Sequence, residues 1–103
     1  MKAKGCGEMK VLHLTLNKKW FDLIASGEKR EEYRAIKDYW SKRLAQLGVD
    51  YDAVQFRNGY RTGSPRVTVR LEGIFVGIGR PEWGAPNERV YILRLGEILN
   101  AQH

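Results

Sequence analysis

At 103 residues, 43% of them hydrophobic and 29% charged, the chain has the size and composition of one globular domain with a single core. No apolar run approaches the ~20 residues of a membrane-spanning helix, and the lone cysteine, Cys6, rules out an internal disulfide framework. The formal net charge of +6 is large for so small a domain and points to a polyanionic partner, with no membrane partner expected.

Residues 1–8 carry lysines with no apolar stretch behind them, which reads as a loose tail and not a signal peptide, with the cytoplasm as the expected compartment. Cys6, between two glycines in that tail, reads as an incidental thiol. The domain itself is expected over residues 9–100. Residues 9–16 alternate, with Leu12, Leu14 and Leu16 on one face and Val11, His13 and Thr15 on the other, the pattern of a half-buried strand. Residues 17–26 read as a short amphipathic helix capped by Asn17. Its side of Trp20, Phe21, Leu23 and Ile24 is wide enough to plug one end of a small barrel, which makes Trp20 core. Gly27 suits the left-handed position that ends such a helix. His13 is isolated from the other histidine, His103, and no cysteine cluster accompanies it, so neither a metal nor a cofactor is expected.

The next stretch, Gly27-Glu28-Lys29-Arg30-Glu31-Glu32-Tyr33-Arg34, is dense in ionisable groups. If residues 30–36 form a strand, alternation sets Glu32 and Arg34 on one face and Glu31 and Tyr33 on the other, with Lys29 in the turn at the strand's mouth. Neither face is apolar, so the strand sits at a solvated edge or lines a polar cleft. Lys29 and Glu32 are the only pair whose spacing points to catalysis, since a partly desolvated lysine beside a carboxylate can carry protons or act as a nucleophile. The plainer alternative is an ion-pair network of Lys29, Glu32 and Arg34 that satisfies polar groups at a barrel mouth.

Asp38 can cap a second helix over residues 38–47, in which Trp40, Leu44 and Leu47 recur at i, i+4 and i+7, Lys42 and Gln46 lie opposite, and Gly48 follows as the stop. Residues 51–56 read as a strand with Val54 and Phe56 facing one way. It runs into a turn-rich loop over residues 57–65, in which Arg57, Asn58, Tyr60 and Arg61 are presented on exposed backbone. From Ala53 to Leu71 there are four arginines, Arg57, Arg61, Arg66 and Arg70, with no acidic residue and no lysine. The guanidinium fork matches phosphate geometry. Residues 66–78 are the strongest strand material, and Gly73, Gly77 and Gly79 mark bulges or bends that curl a sheet. Trp83 lies in a rigid loop over residues 81–86, either as a lid on the core or as a stacking platform. Residues 90–95 read as the closing strand and residues 96–99 as a short terminal segment.

The spacing Gly27-x-Lys29-x-x-Glu32-x-Arg34 resembles the GxKxxExR signature of the ASCH domain family, a branch of the PUA-like β-barrel superfamily associated with RNA binding and nucleotide chemistry. The order of elements from residue 10 to residue 99 is similar too. The resemblance implies an α+β, mainly β fold: a small, curved, mixed β-barrel with two or so flanking helices and a basic cleft around the motif. It implies RNA or nucleotide binding, with Lys29, Glu32, Arg34, Arg57, Asn58, Tyr60, Arg61 and Trp83 as the contacts. The family also includes an amidohydrolase acting on acetylated cytidine and reported ribonucleases, so a hydrolase with Lys29 and Glu32 as catalytic residues is the alternative. Its amidohydrolase members resemble one another in placing a threonine three positions after the lysine, where this chain has Glu32. That departure disfavours hydroxyl nucleophilic catalysis and leaves Glu32 as a general base for water, with Glu72 the candidate second carboxylate. An interaction domain whose basic surface has no specific nucleic-acid role is the remaining alternative.

Overall fold

In the computed structural model, which describes residues 9–45 and 50–102, the leucine alternation becomes β1 (Val11–Leu16), with Leu12, Leu14 and Leu16 buried. Asn17 then caps α1 (Lys18–Ala25), its side-chain oxygen accepting from the Trp20 N–H at 3.3 Å. Phe21 and Ile24 are the buried face of α1. Gly27, at φ 86°, ends it in the left-handed region that favours glycine. β2 (Glu31–Arg34) is shorter at both ends than the expected 30–36. The N-cap of α2 (Asp38–Leu44) is Lys37, in extended backbone without a side-chain cap. Asp38 is instead the first helical residue, where its charge complements the helix dipole. The expected end of this helix at Leu47, with Gln46 and Gly48, lies outside the described residues, as do the tail with Cys6 and His103.

β3 (Ala53–Asn58) and β4 (Arg66–Ile78) are followed by one 3₁₀ turn (Pro81–Trp83) and β5 (Arg89–Gln102). The expected closing strand and terminal segment are one strand, because residues beyond Gly96 pair with the first half of β4, as in Val69↔Ile98 and Thr68↔Asn100.

The five strands form one mixed sheet in the order β1-β3-β4-β5-β2, with β1 and β3 parallel and the remaining neighbours antiparallel. β4 and β5 are its spine. β3 pairs with the first part of β4, from Arg57↔Arg66 to Ala53↔Arg70, while β2 pairs with the first part of β5, from Arg34↔Tyr91 to Glu31↔Arg94. The spine's register shifts fall between Thr68 and Gly73, so Gly73 sits at a bulge and Gly77 does not. Gly79 is required by close approach, since a Cβ there would lie 2.4 Å from the Tyr33 ring. No ladder joins the edge strands β1 and β2, so the sheet is open and the expected closed barrel is not formed by backbone pairing.

One hydrophobic cluster holds these elements together. It contains Leu12, Leu14 and Leu16 of β1, Phe21 and Ile24 of α1, Leu44 of α2, Val54 and Phe56 of β3, Val67 and Val69 of β4, and Tyr91, Leu93 and Leu95 of β5. Among the described residues, Lys29 and Glu32 are the buried charged ones beside it. Their burial costs free energy unless each is paired, and that requirement shapes the site.

Candidate functional site

Once Gly27 has turned the chain, the Lys29 N–H donates to the Leu23 carbonyl at 2.9 Å, which fixes the residue under α1. Its ammonium has three N–H donors and three acceptors. It donates to the carbonyl oxygens of Glu31 and Trp83, the latter at 2.9 Å, and pairs with Glu32 Oε1 at 3.2 Å. The Tyr33 ring lies 4.8 Å from Nζ and the Trp20 ring 5.5 Å. Only 1% of the side chain is exposed. Burial pulls the ammonium below the ordinary lysine value, and the Glu32 carboxylate opposes that pull.

Glu32 Oε2 accepts from Arg34 Nε at 3.1 Å and from Nη2 at 2.7 Å. Strand alternation sets these two side chains on one face, as the sequence pattern requires. The Arg34 guanidinium rests on the Trp40 ring at 4.9 Å and donates to the Thr15 carbonyl at 3.5 Å. Lys29, Glu32 and Arg34 therefore cross-pair on one another and link the edge strands β1 and β2, with Arg34 the most exposed of the three at 18%. On the opposite face of β2, the Tyr33 hydroxyl donates to Glu31 Oε1 at 2.8 Å and accepts from the Arg80 N–H at 3.0 Å. Desolvation, reinforced by Glu31, pushes this phenol up to about 12.

Trp83 contributes its carbonyl to Lys29, while its half-buried indole lies 4.8 Å from the Arg80 guanidinium. A cleft of about 480 Å³ runs beside the network, lined by Lys29, Arg30, Glu72 and Glu97 among others, but Glu32 is not part of its wall. Glu72 lines this cleft, whereas the Glu32 carboxylate is taken up by Lys29 and Arg34. Among the described residues no three His, Cys, Asp or Glu side chains gather in metal-binding geometry.

The arginine-rich loop is a separate feature. Residues 59–65 connect β3 and β4, with the Gly59 N–H donating to the Leu16 carbonyl and the Asn58 N–H to the Pro65 carbonyl, each at 3.0 Å. Arg57 Nη2 and Ser64 Oγ both donate to the Arg61 carbonyl at 2.6 Å, which folds the loop on itself. Tyr60 stands at its tip, 85% exposed, with Arg61 exposed beside it. The hairpin register sets Arg57 directly opposite Arg66. Two like charges in that position repel, and Arg57 Nε is buried with no hydrogen-bond partner among the described residues. The loop and the buried network are linked through the end of β1: Arg34 donates to the Thr15 carbonyl, and Thr15 is the ladder partner of Arg57.

Sequence reading did not single out Thr15, the Trp83 carbonyl or the Glu31–Tyr33–Arg80 link. The first two act through backbone oxygens, which leave no mark in side-chain patterns. Compared with known proteins, the chain matches no family model, no curated protein and no solved structure.

Proposed function

We propose that the protein is an RNA- or nucleotide-binding domain of the ASCH, PUA-like kind, and that it grips its ligand through the β3–β4 loop. The observation that carries this reading is the Arg57–Arg66 opposition beside the exposed Tyr60. Two arginines held opposite each other by the strand register repel less with an anion between them, and an exposed phenol at the loop tip offers a flat face to a base. Arg57, Arg61 and Arg66 hold phosphate, Asn58 and Tyr60 address the bases, and the Lys29–Glu32–Arg34 network braces the strand ends from which the loop springs. The approach of β1 and β2 through Arg34 supports a curved, incompletely closed barrel as the finer reading of the sheet. No specific observation favours the hydrolase alternative, in which Lys29 and Glu32, at 1% and 8% side-chain exposure, would have to reach a substrate.

The test is fluorescence anisotropy with a short single-stranded RNA over a salt series. Three phosphate contacts give a slope of log K against log salt of about −2, at ~−0.7 per contact. The double variant Arg57→Ala/Arg61→Ala should flatten it by about 1.4. A slope unchanged in that variant moves the contact surface away from the loop.

A further inference from the structure

On the Tyr33 face of the sheet, away from the β3–β4 loop, three arginines converge on one groove. Arg30, Glu31, Glu72, Arg80, Trp83 and Arg94 line a cleft of about 260 Å³. It lies beside the cleft of about 480 Å³ and shares Arg30, Glu72 and Leu95 with its wall. The neighbouring cleft is within the size range of small-molecule sites, and the groove itself is just below it.

Two of the three guanidiniums are set in place by aromatic rings. Arg94 lies 4.7 Å from the Phe75 ring, and that ring in turn occupies the space a side chain at residue 73 would need, since a Cβ on Gly73 would be 2.9 Å from it. Arg80 lies 4.8 Å from the Trp83 ring. A guanidinium oriented through its π-face keeps its N–H edge for another partner. Glu31 faces Arg94 across the β2–β5 ladder, but its carboxylate accepts from Tyr33. Among the described residues neither Arg30 nor Arg94 forms an ion pair, and Arg80 has only Glu82 at 3.6 Å, both side chains more than half exposed, a pairing worth little at a surface. Glu72, also without an ion pair among the described residues, adds a second carboxylate beside Glu31 to a wall in which the three arginines leave an excess of positive charge.

We propose that this groove binds a nucleoside phosphate, with the phosphate on Arg30, Arg80 and Arg94, the base against Trp83, and Glu72 accepting from base N–H groups. An inorganic anion would use the arginines and leave the indole and Glu72 idle. A nucleotide uses all of them, which is why the ligand class is a nucleoside phosphate and not phosphate alone. The site is separate from the loop that grips RNA and stands whether or not that loop does so.

The test titrates guanosine and cytidine monophosphates, and inorganic phosphate in parallel, into the whole chain at low salt, followed by calorimetry and tryptophan fluorescence. Saturable binding of a monophosphate at least tenfold tighter than phosphate is expected, together with a fluorescence change that disappears in Trp83→Phe. Arg30→Met/Arg94→Met should weaken it at least tenfold, whereas Arg89→Met, an exposed arginine outside the groove, should leave it unchanged; circular dichroism confirms that each variant is folded. Absence of nucleotide binding, affinity no better than that of phosphate, or equal losses in Arg89→Met and the double variant would each overturn the assignment. The readout is nucleotide affinity and not the RNA salt slope, so failure here and failure of the loop reading are told apart.

Discussion

Replacing Glu32 with glutamine keeps the shape of the side chain and deletes the one negative charge between two cations. In the native protein Glu32 lies 3.2 Å from Lys29 Nζ and 2.7 Å from Arg34 Nη2. At an effective dielectric of ~20 the Lys29 contact alone amounts to about 5 kcal/mol of Coulomb attraction, most of it offset by desolvation. Breaking a buried pair by removing one partner costs roughly 3–5 kcal/mol. Arg34, 18% exposed, recovers some hydration, whereas Lys29, at 1%, recovers almost none. The expected loss for Glu32→Gln is therefore about 3 kcal/mol, which corresponds to a fall in Tm of roughly 12–24 °C for a domain of this size. Urea denaturation measures it as a lower midpoint at unchanged m. Adding Lys29→Met removes the stranded cation, so the double variant should be more stable than the sum of the two single losses by at least ~1 kcal/mol. A loss under ~0.5 kcal/mol in Glu32→Gln, or additive losses in the double variant, would refute the view that this network is a desolvated brace.

Tyr33 ties stability to alkaline pH. Its phenol ionises near 10.0 in the unfolded chain and at about 12 in the fold, so between those values the native state holds a proton that the unfolded state has released. Stability from this group is complete below pH 10 and is lost as pH rises through 12. Tyr33→Phe should flatten the fall in urea midpoint across that window, and an identical fall in the variant would refute the assignment. At the start of α1, Asn17→Ala removes the acceptor for the Trp20 N–H and should cost about 1 kcal/mol by the same denaturation assay. A change below ~0.3 kcal/mol would mean that the 3.3 Å contact does not function as a cap.

Features governed by local periodicity and backbone stereochemistry were legible from residues alone. Leu12, Leu14 and Leu16, the Asn17 cap, the left-handed Gly27 and the shared face of Glu32 and Arg34 all follow from spacing within a few positions. The N-cap position expected of Asp38 is occupied by Lys37, which makes no side-chain cap, because a one-residue shift at a helix start leaves the hydrophobic pattern unchanged. Gly96 reads as a break between two segments, yet β5 runs through it past the register shifts of β4, and the Glu72 side chain occupies the space a Cβ at residue 96 would need. The closure of the Lys29 site was beyond local reading: its third acceptor is the Trp83 carbonyl, 54 residues away. The opposition of Arg57 and Arg66 is likewise a matter of hairpin register.

The claim that the β3–β4 loop, and not the buried network, meets the ligand is tested most directly by backbone-amide NMR during titration with a short single-stranded RNA. The largest and earliest shifts should fall on residues 57–66, with Tyr60 and Arg61 foremost, while the Lys29 and Glu32 amides move little because their side chains are already paired. Shifts centred on Lys29, Glu32 and Trp83, with residues 57–66 unmoved, would contradict the account and return the signature stretch to the centre of the site.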